Sequence, residues 1–118
     1  MERRLYERIS VPIKLKYEAK NRPRLVSESL SKNISGGGIC ISLKEKLIPK
    51  TELALRIEIG SKDDAVVLSG KVVWVRRVEI VEKNSPTVYY DTGIEFIDAN
   101  PITINRVITH FYGKSFET

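Results

Sequence analysis

The sequence predicts a mainly all-β fold, a six-stranded antiparallel β-barrel with a C-terminal α-helix. Three observations predict it. Apolar and polar residues alternate in successive segments between residues 9 and 96, turn-forming glycine, proline and asparagine separate those segments, and beyond residue 100 the apolar period becomes helical. With 118 residues and 42% apolar content, the chain suits one core and not two.

The first strand shows the pattern most clearly. Ile9, Val11, Ile13, Leu15 and Tyr17 share one phase, while Ser10, Pro12, Lys14 and Lys16 share the other. Pro12 has no amide donor, which places this strand at an edge or leaves it paired on one side there. The polar stretch Glu18 to Arg24 reads as a turn. A second strand spans about Leu25 to Ile34, with Val26, Leu30 and Ile34 inward and Ser27, Ser29, Ser31 and Asn33 outward. The chain then turns at Gly36-Gly37 and returns through Ile39, Ile41 and Leu43, with Cys40 a small packed residue rather than a reactive thiol.

Leu53, Leu55, Ile57 and Ile59 define a fourth strand. A fifth runs from about Ala65 to Val81, and Gly70 inside it signals a bulge or a close backbone approach. After a turn at Asn84-Ser85-Pro86, the sixth runs from about Thr87 to Phe96. From Pro101 to Tyr112, Ile104, Val107, Ile108 and Phe111 form one helical stripe, with Asn100 as N-cap and Gly113 as stop. Such a helix covers an open end or flank of the barrel. The expected organisation is one domain over residues 1–118: an N-terminal arm at 1–8, a barrel at 9–96 and a helix at 101–112.

No apolar run approaches the roughly 20 residues that cross a bilayer, and the N-terminus is charged where a signal peptide is apolar. Cys40 is the single cysteine and His110 the single histidine, so neither an internal disulfide nor a zinc ligand set is available. These features fit a cytoplasmic protein without a metal. The net charge of +5 favours an anionic partner, but fifteen acidic residues are interspersed among twenty basic ones. Placement of the charges, rather than their sum, must decide.

Catalytic arrangements are missing. His110 sits near the end of the predicted helix, where the dipole favours an imidazole. Ser35 lacks a nucleophile-elbow context, Asp63-Asp64 lies in a polar turn, and no Gly-Lys-Ser/Thr follows the glycines. An enzyme is not expected. Binding has better candidates. Arg3, Arg4 and Arg8 are planar forks of donors able to hold guanine or phosphate, although such a spacing taken alone is more often a solvated terminus than a site. Asn33 and Ser35, two apart, point to the same outer side of a strand. Gly36 and Gly37 then permit positive φ, Gly38 removes a side chain that would block approach, and ordinary turn residues are the plainer reading of the same run.

The order R-x-x-x-R at Arg4 to Arg8, then N-x-S-x-x-G at Asn33 to Gly38, resembles the two-part signature of the PilZ domain family. The segment Lys71-Val72-Val73-Trp74, the segment Gly93-Ile94-Glu95-Phe96 and the terminal helix look like the family's other landmarks. The resemblance implies a six-stranded barrel that acts as a bacterial second-messenger receptor for cyclic di-GMP, with no other cofactor. It implies that Arg4 and Arg8 clasp guanine and phosphate, that Asn33 and Ser35 hydrogen-bond guanine and the sugar–phosphate ring, and that Gly38, beside Gly37, allows close backbone contact. Arg3 reads either as a hold on a second, intercalated ligand molecule or as surface charge.

The expected mechanism is ordering of the arginine arm over one or two ligand molecules, read by a downstream protein in motility, polymer synthesis or adhesion. Trp74, lone on an apolar strand, reads as core or helix-packing rather than as a stacking platform. Two rival readings stand beside this one. One is a nucleotide-independent adaptor of the same fold. The other is a barrel that binds single-stranded nucleic acid through Arg76, Arg77, Tyr89 and Tyr90.

Overall fold

A computed structural model describes residues 13–20, 26–60, 64–98 and 100–115. Six strands and one helix follow in chain order: β1 Ile13–Ala19, β2 Val26–Ile34, β3 Gly38–Leu43, β4 Glu52–Glu58, β5 Ala65–Glu82, β6 Ser85–Ile97 and α1 Pro101–Ser115. Every pairing is antiparallel, in the order β1-β2-β3-β6-β5-β4, and β1 also pairs with β4, so the wall returns on itself. The predicted architecture is the observed one.

Alternation has the expected cause. Ile13, Leu15 and Tyr17 of β1, Ile39, Ile41 and Leu43 of β3, and Leu53, Leu55 and Ile57 of β4 are all buried. Each such full burial contributes roughly 1.5–3 kcal/mol. Val107 and Phe111 of α1 are also buried, and Ile104 and Ile108 pack against the same core, so the helical stripe covers apolar residues as predicted. The Asn100 side-chain oxygen accepts from the Ile102 amide at 2.9 Å, which caps the helix start. Arg106 pairs with Asp64 at 2.7 Å, tying α1 to the segment just before β5.

The helix departs from expectation at its end. It runs through Gly113 to Ser115 rather than stopping at Tyr112. Glycine ends a helix only where it adopts the left-handed conformation; inside one it costs about 1 kcal/mol. The β5–β6 hairpin also differs. Its turn is Lys83-Asn84, with φ of 51° and 63°, and Glu82 pairs with Ser85. Two consecutive positive φ angles give a two-residue turn whose twist matches the flanking strands. Ser85 and Pro86 therefore belong to β6. Proline is tolerated there because β3 reaches only Tyr90, leaving this end a two-stranded ribbon.

Gly70 is the site of a close approach and not of a bulge. A Cβ there would collide with the Ile94 side chain, and the register shift lies instead between Val72 and Trp74. Among the described residues, no helix is long and apolar enough to cross a membrane, and no group of acidic, His and Cys side chains is placed to hold a metal ion.

Candidate functional site

One row of residues crosses the outer face of the barrel. Asn33 pairs with Cys40, Cys40 with Gly93, and Gly93 with Trp74, so β2, β3, β6 and β5 each contribute one position. At the usual strand spacing this row spans roughly 14 Å. Its middle members are small and its ends large, which makes a trough. The resulting depression holds about 470 Å³; Asn33, Ser35, Gly37 and Gly38 line one side, and Trp74 and Arg76 line the other. Cys40 is half-buried on its floor rather than packed in the core.

The glycine run is held by hydrogen bonds. The Ser35 amide donates to the Gly38 carbonyl at 2.9 Å, the Gly37 amide donates to Ser35 Oγ at 3.3 Å, and the Phe96 amide donates to the Gly37 carbonyl at 3.0 Å. The turn is thus fastened both internally and to β6. It needs no positive φ at Gly36 or Gly37, since among the described residues Gly60 is the one glycine with that conformation, at 80°. Gly38 is required for a different reason: a Cβ there would collide with the Ile94 carbonyl oxygen of β6. The close approach expected at Gly38 is therefore, in the first place, between two strands.

Trp74 corrects the sequence expectation. Val66, Leu68 and Val72 point inward, and unbroken alternation would put Trp74 inward with them. The bulge at Val73 shifts the phase by one, so Val75 packs against the core and Trp74 emerges 45% exposed. Its indole lies over Gly93, where a Cβ would collide with Nε1 and Cε2. The indole thus rests against β6 while the side chain remains half open to solvent.

Arg76, the next residue on that face, donates from Nη2 to Asp91 Oδ2 at 3.0 Å. Neither residue of this pair was singled out for this site by its sequence context; the available signal was the spacing Trp74-x-Arg76, which sets both on one strand face.

Arg3, Arg4 and Arg8 lie outside the described residues, as does Tyr6 between them. The four side chains of the nucleic-acid reading are not gathered on one surface. Arg76 and Tyr89 belong to pairs on one ribbon face, whereas Arg77 and Tyr90 pair with each other on the opposite one. His110 does not line the depression. Its ring meets Phe111 edge-on at 4.8 Å, and its Nε2 is buried without a hydrogen-bond partner among the described residues.

A family model described as the PilZ domain matches residues 2–113. No curated protein sequence matches the chain. Among solved structures, the chain is similar to the "PilZ domain with c-di-GMP of YcgR from Escherichia coli" at a TM-score of 0.78 and 16% identity, covering 98% of this chain and 96% of that one. It is also similar to the K. pneumonia MrkH–c-di-GMP complex, with a TM-score of 0.71, 16% identity and coverage of 99% of this chain and 53% of that one. The Bacillus subtilis inhibitor of motility MotI/DgrA gives 0.65 at 18% identity, covering 100% of this chain and 53% of that one. The chain thus spans about half the length of the latter two. At these identities the likeness concerns the fold.

Proposed function

Because this chain belongs to the PilZ domain family, we propose that it is a non-catalytic receptor for cyclic di-GMP. The observation that carries the reading is the trough itself: Asn33 and Ser35 face Trp74 across two small residues, on a fold shared with domains solved with that ligand. The chemistry matches a purine nucleotide. The Asn33 amide supplies both a donor and an acceptor for guanine, and the Ser35 hydroxyl, while accepting from Gly37, can donate its own proton to the sugar–phosphate ring. The outer face of Trp74 offers a stacking surface of a kind worth about 1–3 kcal/mol per base.

The arm at residues 1–8 completes the site in this reading. Arg4 and Arg8 clasp guanine and phosphate from above, Gly37 and Gly38 let the ligand approach the backbone, and Arg3 holds a second molecule where two bind. Ordering of the arm changes the surface, and a downstream protein reads that change.

Titration calorimetry tests the proposal. Saturable heat at micromolar cyclic di-GMP, with a stoichiometry of one or two, is the expected result. Folded protein that gives no heat at that concentration would end the receptor reading.

A further inference from the structure

Beside the residues of the family signature, the trough contains an ion pair whose two ends are very unequally placed. Arg76 on β5 and Asp91 on β6 are cross-strand partners joined at 3.0 Å, and their side chains are 69% and 3% exposed. Buried this deeply, the carboxylate is fixed in the wall and its attraction for the guanidinium is little screened by water, so the contact is firmer than one between two exposed groups. Arg76, by contrast, makes this contact through Nη2, and the rest of its fork remains exposed in the depression. Arg77 and Glu79 form a pair of the ordinary kind at 3.3 Å, with both side chains about half exposed. Such pairs wander and contribute little.

Anchoring on a buried partner has a consequence for binding. It restricts the rotamers of Arg76 before any ligand arrives, so less entropy is lost on capture. Arg76 also sits one same-face step from Trp74, roughly 7 Å along β5. An anionic group attached to a base lying on the indole comes within reach of the guanidinium.

We propose that Arg76 is a ligand-binding arginine built into the barrel wall, which pairs with a phosphate of the bound nucleotide, and that Asp91 is its positioning residue. This rests on the receptor reading above. It gives the site a fixed cation in addition to those of the arm.

Calorimetry with cyclic di-GMP on the wild type, Arg76→Gln, Asp91→Asn, the double variant and Arg77→Gln decides the matter. Arg76→Gln should bind about tenfold more weakly, the scale of one charge-assisted hydrogen bond, on protein still folded at the assay temperature; its thermal midpoint should fall, because the buried Asp91 carboxylate loses a cation. Asp91→Asn should also weaken binding, and the double variant should be no weaker than Arg76→Gln, because Asp91 acts through Arg76. Arg77→Gln should match the wild type. If Asp91→Asn does not fold, the comparison of Arg76→Gln with Arg77→Gln still tests the arginine. A wild type that binds while Arg76→Gln binds equally well overturns this inference alone; losses at Asp91 and Arg76 that add in full overturn the positioning role. A wild type that does not bind overturns the receptor reading and this inference together.

Discussion

The indole of Trp74 rests on the backbone of Gly93, its partner across β5 and β6, in the space where any other residue would carry a Cβ. The chain has one tryptophan, so its fluorescence reports on this contact directly. Titration with cyclic di-GMP should quench that emission as guanine stacks. Trp74→Ala should weaken binding by roughly 1–3 kcal/mol, about 5- to 150-fold, as measured by calorimetry. An unaffected affinity would remove the stacking role.

Gly93→Ala should displace the ring rather than the strands, because the colliding atoms belong to a half-exposed side chain. A shifted tryptophan emission and weaker nucleotide binding are expected, with the barrel still folded by circular dichroism. A variant with wild-type emission and affinity would contradict the placement of the indole.

Gly38→Ala should behave in the opposite way. Its new methyl group meets the Ile94 carbonyl, which is fixed in the β3–β6 ladder and cannot swing aside. Overpacking of this kind costs roughly 1–3 kcal/mol, which urea denaturation would detect. Unchanged stability would mean that β3 and β6 separate more easily than their pairing suggests.

Ser35→Ala removes both the acceptor for the Gly37 amide and the hydroxyl offered to the ligand. The internal bond is long at 3.3 Å and half-buried, so its loss should cost no more than about 1 kcal/mol of stability. Binding of cyclic di-GMP should fall by more than that cost. Arg8→Ala, from the arm, should likewise weaken binding and leave the thermal midpoint nearly unchanged; a fall in unfolding temperature at Arg8 would point to a structural role instead.

Asn100→Ala tests the helix independently of the ligand. Loss of the cap on the Ile102 amide should destabilise the fold by about 1 kcal/mol in chemical denaturation. Affinity for the nucleotide should be unaffected, since Asn100 lies outside the trough.

Much of the barrel was legible because its cause is local. A side chain that alternates with period two is assigned to a face by its own strand, so Ile13, Leu15, Ile39, Ile41 and Leu53 were readable as core without knowing their neighbours. The same holds for the Asn100 cap, whose bond spans two residues. The paired positions Asn33 and Ser35 were legible through spacing alone, and they line the depression as a pair.

What the sequence by itself determined, then, is the strand count, the inward residues of β1, β3 and β4, the capped terminal helix and the polar side of the depression. The tertiary structure decided the other side. Val73 is one extra residue opposite β6, and a bulge exists only relative to the partner strand that lacks the residue; from β5 alone the phase of Trp74 reads as inward. Arg76 and Asp91 are fifteen residues apart and meet only because the Lys83-Asn84 turn fixes the hairpin register. Gly38 and Gly93 are open to a close approach from the sequence, but only their cross-strand partners show which atoms occupy the missing Cβ. Period is carried along a strand, whereas phase shifts, ion pairs and close approaches belong to the contact between strands.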